Sequence, residues 1–333
     1  MKPFSRKAKV LLSILGIAAA CSAIFCFYVL LLPPVEHPSL GVTFSTSYAR
    51  WLGLDPREAF DALLRDMHVR RFRIPVYWSE VEPSDGDFRW EDVDWMMSEA
   101  GKYGASVTLA VGYKVPRWPE CYIPDWAKTD DGSFDKEGLS DFLRAVVTRY
   151  EDSSALARWQ VNNEPYLAYG VCPEVGSDEI SREADLVRSL DADHPIVMTV
   201  SGELERWAPT VRQSDALGFS LYRDIWSPYF GFVRYPLPAA FYRVRSWLVG
   251  FATDSIFISE LQAEPWFSES VKGNVPSELA ARFTSKQLRE NVSYAKRTGI
   301  TDMDLWGAEW WYFLYKNGEP GLWNEAVRLF STP

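Results

Sequence analysis

The sequence predicts an α/β fold in which eight parallel strands close into a barrel sheathed by helices, and three observations predict it. From residue 41 onward, short runs rich in β-branched and aromatic residues alternate with amphipathic stretches. That alternation implies a parallel sheet covered by helices. Eight such units occupy roughly 290 residues, the length a (β/α)8 or TIM barrel requires. No glycine-rich phosphate loop follows the first strand, which disfavours the main alternative, an open doubly wound sheet.

The first strand is read at 41–44. Asp55-Pro56-Arg57-Glu58 then marks a helix start. Asp55 suits the cap, Pro56 the first helical position, and Glu58 the far side of a capping box. Phe60, Leu63, Leu64 and Met67 form the apolar face of that helix. The second strand is 71–76, and Val93, Met96, Met97, Ala100 and Tyr103 mark its helix, ended by Gly104. The third strand, 107–111, precedes a helix carrying Leu139, Phe142, Leu143, Val146 and Tyr150. The fourth, 157–161, is followed by a helix over 178–190. The fifth and sixth are 196–200 and 216–220, with a poorly marked helix between them. The seventh is 255–259, with one helix expected over 277–299. The eighth is 302–306, and a closing helix covers 319–330.

The N-terminus reads as a membrane signal. Lys2, Arg6, Lys7 and Lys9 precede an uncharged stretch over 10–32, long enough to span a bilayer. Ala18-Ala19-Ala20 resembles a cleavage site, and Cys21 the lipidated cysteine of a lipoprotein. The apolar run continues past both, longer than the roughly 7–15 residues of a cleavable signal. An uncleaved transmembrane helix is therefore expected, with the basic flank inside and the remainder outside the cytoplasm. Residues 1–9 form the flank, 10–32 the anchor, 33–40 a linker opened by Pro33-Pro34, and 41–331 one barrel domain.

The formal net charge of −10 argues against a nucleic-acid partner, which needs a basic footprint. Fifteen Trp and sixteen Tyr exceed what a core alone requires, and flat aromatic faces suit the apolar face of a sugar ring. No CxxC or Cys/His cluster suggests a structural metal. Cys21 and Cys26 lie in the anchor, whereas Cys121 and Cys172 lie in the exported part. They fall in the loops after neighbouring strands three and four, where an oxidising compartment permits a disulfide between them.

In such a barrel, reactive groups sit at the C-terminal ends of strands. Glu164 follows the fourth strand and Glu260 the seventh, and those strands face each other across the ring. Two carboxyls flanking one bond are what glycoside hydrolysis uses: one protonates the leaving oxygen, the other attacks the anomeric carbon or activates water. Glu264 and Glu309 also lie near strand ends, the first too far into its loop, the second as a sugar ligand or rim residue. Glu80 and Glu82 are expected to hold the second loop together. Trp118, Trp126, Trp226, Trp266, Trp310 and Trp311 are all expected in loops after strands, about half of them lining a cleft. Asn291-Val292-Ser293 fits a glycosylation sequon but falls mid-helix.

From Gly41 to Phe330 the chain resembles the clan A glycoside hydrolases, a retaining group that includes cellulases, β-mannanases, β-galactosidases and β-xylosidases. Asn163-Glu164-Pro165 is similar to the clan's acid/base motif, and Glu260 to its nucleophile. The segment from Phe72 to Pro83, with Gly86 and Phe88, resembles its second strand and loop. The resemblance implies that Arg73 supports the nucleophile, Asn163 bonds the sugar 2-hydroxyl, Tyr222 stands beside the nucleophile, and Trp306 stacks on sugar. None of the three His lies at a strand end, a departure that leaves the individual family open; Tyr113, Lys114 and Trp118 follow strand three instead. A carbohydrate substrate, a monomer, and chemistry without a cofactor are expected. Transglycosylation on the same intermediate, or a non-catalytic carbohydrate-binding barrel at the cell surface, are the alternatives.

Overall fold

The computed structural model describes residue 16 and residues 33–227, 229–250, 253, 255–266 and 274–331. The strands are β1 (Ser39–Thr43), β2 (Arg71–Pro75), β3 (Ser106–Val111), β4 (Leu156–Val161), β5 (Ile196–Ser201), β6 (Ala216–Leu221), β7 (Asp224–Ser227), β8 (Gly231–Arg234), β9 (Ser255–Gln262) and β10 (Asp302–Trp306). Eight close into a barrel in the order β1-β2-β3-β4-β5-β6-β9-β10, all neighbours parallel. The remaining two, β7 and β8, form a separate antiparallel hairpin. All eight barrel strands thus occur where sequence periodicity places them, because strands covered on one face by helices and filled on the other must be apolar throughout. The transmembrane helix expected over 10–32, its basic flank, and the fate of Cys21 and Cys26 lie outside the described residues. Among the described residues no helix is long and apolar enough to cross a membrane.

Several elements differ from expectation. The seventh barrel strand, β9, continues to Gln262, so Glu260 is inside the strand. The weakly marked fifth helix is one short piece, Trp207–Val211. The hairpin and the helix Ala239–Val249 fill a stretch to which periodicity assigned nothing. The helix expected over 277–299 is two helices, Pro276–Arg282 and Ser285–Lys296, because Thr284 and Gln287 build a capping box between them. The closing segment is also two helices, Ala308–Lys316 and Gly321–Ser331. Trp310 and Trp311, expected in a loop, are therefore helical and fully buried. Asp55 caps the helix Pro56–Arg65, accepting from Arg57 N at 2.8 Å. Glu58 does not close the box. Its carboxylate accepts instead from Tyr312 OH (2.9 Å) and Lys316 Nζ (2.7 Å), since a charged donor outcompetes a backbone amide.

The floor of the barrel is charged. Arg71 donates to Asp304 at 2.9 Å, and Arg158 lies over the Phe257 ring. Gly41 must be glycine here, for a Cβ would stand 2.3 Å from Asp304 Oδ1. Outside the strands, Phe60 packs on Phe44 and Phe72, and the helices cover the barrel with Leu63, Phe142, Leu143, Leu288 and Trp311. This rigid shell positions the strand ends described next.

Candidate active site

The floor of the site is Arg73 on β2, fully buried. Its guanidinium makes three directed contacts. Nε donates to Gln160 Oε1 (2.6 Å), one terminal nitrogen to Glu260 Oε1 (2.9 Å), and the other to Asn163 Oδ1 (2.6 Å). A planar fork of this kind holds groups from β4 and β9 at fixed angles, which a lysine cannot do.

Glu260 has a second donor, Tyr222 OH on Oε2 at 2.9 Å. The two donors fix the orientation of the Glu260 carboxyl. Tyr222 follows β6, so three strand ends converge on one side chain.

Glu164 is in an opposite environment. The chain leaves β4 through left-handed residues, Asn162 at φ 59° and Glu164 at φ 44°. Gly112 makes room for this turn, since a Cβ there would meet Asn162 Oδ1 at 2.3 Å. Lys114 holds the turn from below, donating to the carbonyls of Glu164 (2.9 Å) and Leu167 (2.8 Å). Thr199 Oγ1 accepts from Glu164 N (3.0 Å) and donates to Asn163 Oδ1 (2.9 Å). The Glu164 carboxyl is only 7% exposed, and its Oε1 has no partner among the described residues. Burial, then the charges of Glu260 and Glu205, push it well above the usual carboxylate range, against a hydrogen bond from Ser220. Glu260 thus meets one cation and one hydroxyl, whereas burial and like charge raise the pKa of Glu164.

Three further carboxyls surround the pair, and sequence reasoning singled out none of them. Glu120 accepts from Asn163 Nδ2 at 3.0 Å; burial and the Glu260 charge push it up to about 8. Glu205 accepts from Ser201 N, and burial raises it to about 7. Glu203 accepts from Tyr222 N (3.3 Å) and Tyr242 OH (2.5 Å), and burial raises it to about 7. Gln160 and Thr199 were also missed, though both are polar residues in strands, a signal that was available.

Arg117 is the largest omission. It sits at φ 87°, buried, with its guanidinium 3.9 Å from the Tyr48 ring and 4.0 Å from the Trp306 ring. It pairs with Glu264 and, at 2.8 Å, with Glu309. Glu309 also accepts from Ser45 N. Glu264 therefore is not remote in a loop, since the longer β9 carries it into the core beside Arg117. Glu309 is fully buried and reaches no rim. Trp306, at the end of β10, is buried with one ring approach covered by Arg117.

Trp266 is half-buried and meets Tyr222 edge-on at 5.5 Å. Tyr169 links it to Trp118, whose ring is 63% exposed. This aromatic row leads outward from the carboxyl pair rather than enclosing it. Trp126 instead donates to the Glu82 carbonyl and packs a loop. Glu82 does hold the second loop, accepting from Trp78 Nε1 and Gly86 N. Cys121 and Cys172 are joined as a disulfide, tying the loops that carry Trp118 and Tyr169. Asn291 is buried and donates to the Gln262 carbonyl, so its sequon is structural. Among the described residues no group of three or more His, Cys, Asp or Glu is arranged to hold a metal ion.

A glycoside hydrolase family 42 model, described as beta-galactosidase, matches residues 57–178. A probable mannan endo-1,4-beta-mannosidase A-1 of Aspergillus terreus is 29% identical over 192 residues, 48% of either chain. A mannan endo-1,4-beta-mannosidase A of Aspergillus aculeatus is 22% identical over 191 residues, 48% of this chain and 50% of that one. The chain spans about half the length of the curated relatives it matches. Among solved structures, an exo-beta-1,4-mannosidase from Opitutaceae bacterium strain TAV5 superposes with a TM-score of 0.56 at 14% identity, covering 92% of this chain and 63% of that one. The beta-galactosidase of Marinomonas ef1 superposes with a TM-score of 0.55 at 16% identity, covering 80% and 53%. These likenesses agree with the resemblance to the clan A glycoside hydrolases and leave the individual family unassigned.

Proposed function

We propose that this barrel is a retaining glycoside hydrolase acting on a β-linked poly- or oligosaccharide by double displacement. The observation that carries the reading is the contrast between the surroundings of two carboxyls, one after β4 and one on β9. Glu260 is hydrogen-bonded by Arg73 and Tyr222, while Glu164 is buried with an unpartnered oxygen and a raised pKa. Two carboxyls in such unlike surroundings can divide the roles of acid and nucleophile.

In the first step, Glu164 donates its proton to the glycosidic oxygen as the Glu260 carboxylate attacks the anomeric carbon. The bond to the leaving oxygen breaks, and a glycosyl ester forms on Glu260. In the second step, ionised Glu164 takes a proton from water. The water oxygen attacks the anomeric carbon, the ester bond breaks, and Glu260 leaves as carboxylate. Arg73 and Tyr222 orient Glu260 for both steps, and Asn163 faces the sugar 2-hydroxyl. Trp306, Trp266 and Trp118 supply ring faces toward bound sugar.

The relatives are named for action on β-mannan and β-galactosides, so those linkages are the first to test. We read residues 10–32 as an anchor holding a monomeric barrel outside the cytoplasm, with its basic flank inside. Aryl β-mannosides, β-galactosides, β-glucosides and β-xylosides are to be tested with wild type, Glu164→Gln and Glu260→Gln. Loss of turnover in both variants, a β-anomeric first product, and a 2-fluoro sugar label on Glu260 are expected. A label on Glu264 or Glu309, or full activity in both variants, refutes the assignment. Added sugar acceptors separate hydrolysis from transglycosylation by their products.

A further inference from the structure

The hairpin β7–β8 stands outside the barrel sheet and carries a cluster of unburied rings. Tyr229, Phe230 and Phe232 are 87%, 81% and 64% exposed, and Trp226 lies opposite Phe232 across the ladder. Single exposed apolar residues are ordinary, but a contiguous aromatic group marks an interaction surface. The surrounding charge is equally unusual. After Asp224, which pairs with Arg234 across the hairpin, residues 225–253 contain no Asp or Glu, in a chain with 45 acidic and 35 basic residues; Arg243 and Arg245 donate to backbone carbonyls within the fold.

The position of the hairpin is what identifies the occupant. The next helix, Ala239–Val249, turns Leu248 outward, and on it Arg243 donates to the Pro33 carbonyl at 3.2 Å. Pro33 is the residue directly after the uncharged stretch 10–32. The point where that stretch joins the barrel therefore lies on the flank that carries the exposed aromatic segment. The root of the hairpin also reaches the site: Arg223 N and Asp224 N donate to Gln262 Oε1, one residue beyond Tyr222, which donates to Glu260.

We propose that the hairpin β7–β8 rests on the lipid bilayer entered by residues 10–32, so that the barrel mouth is held at the membrane surface. Rings of Trp and Tyr favour the headgroup layer, where one edge is apolar and the other wet. A segment without acidic residues meets less repulsion from anionic headgroups than the rest of this negatively charged surface. The inference rests on reading 10–32 as an anchor and is independent of the hydrolytic chemistry.

The test uses the full chain reconstituted in vesicles of phosphatidylcholine with phosphatidylglycerol. Cys21 and Cys26 are replaced by Ser, and an environment-sensitive fluorophore is attached at Tyr229→Cys or, as control, Asp141→Cys. Asp141 is exposed on the helix Lys136–Tyr150, on the other side of the barrel. Both positions are exposed, so neither label disturbs packing. A blue shift and several-fold stronger quenching by doxyl-labelled lipid at Tyr229→Cys than at Asp141→Cys is expected. Equal quenching at the two positions in vesicle-bound chain overturns the docking while leaving the anchor intact. A shift that follows protein density rather than doxyl lipid points to a second copy and also overturns it. A chain that fails to float with vesicles overturns the docking and the anchor together.

Discussion

Replacing Glu164 with Gln separates acid catalysis from everything else the site does. Gln preserves size and one acceptor oxygen but has no proton to give. General acid catalysis contributes about 10²–10⁴-fold, or about 3–5 kcal/mol of barrier. That loss is expected in full for a substrate with a poor leaving group, such as an alkyl or sugar β-glycoside. For a dinitrophenyl β-glycoside the leaving oxygen needs no proton, so formation of the Glu260 ester is spared. Its breakdown still lacks a base, so kcat and KM fall together while kcat/KM holds. Azide, a nucleophile that needs no base, is expected to restore kcat and yield a β-glycosyl azide. The pH dependence follows from the raised pKa of Glu164. The acid is competent only while protonated, so wild-type kcat/KM is lost as pH rises through that value. In Glu164→Gln the same limb is absent. Steady-state kinetics on both substrate types across pH supplies the check. An equal loss for both leaving groups, or a basic limb that survives the substitution, refutes the assignment of Glu164.

Three further outcomes are expected. Arg73→Met leaves a buried Glu260 charge and the Asn163 and Gln160 oxygens without their donor, so stability falls by about 3–5 kcal/mol and turnover is lost; chemical denaturation measures the first, and an unchanged midpoint contradicts it. Glu120 has a folded-state pKa of about 8 against an ordinary 4.5, so the folded chain binds the extra proton between those values and stability falls as pH rises through that window. Glu120→Gln is expected to flatten that fall and to be the more stable protein at pH 9 by thermal melting. Trp118→Ala removes an exposed ring, so stability stays within about 0.5 kcal/mol. KM for a long oligosaccharide rises with kcat unchanged, as for a contact equal in ground and transition states, and KM for a short aryl glycoside does not move.

Much of the site was legible because strand ends in a closed barrel are equivalent, repeating positions. Glu164 and Glu260 follow from counting strands and Arg73 and Tyr222 from the resemblance, and the structure joins Arg73, Tyr222 and Glu260 in one hydrogen-bonded group. Arg117, Glu120 and Glu205 were not legible for a shared reason. They belong to loops after strands, where no periodicity reports burial. An arginine at positive φ between two rings looks, in sequence, like any surface arginine. Glu264 and Glu309 were misplaced because a three-residue extension of β9 and a helix starting at Ala308 turn loop positions into core.

The sequence by itself determined the barrel and its strand positions, and it pointed to two glutamates at strand ends. Hydrophobic period and strand order are one-dimensional quantities that a chain states directly. Only the tertiary structure decided what surrounds each carboxyl, since that depends on what burial and the converging strands bring together. Glu164 and Glu260 are the same residue type at similar positions. Arg73 and Tyr222 surround one, and burial with the charges of Glu260 and Glu205 surrounds the other, which is information no linear pattern contains.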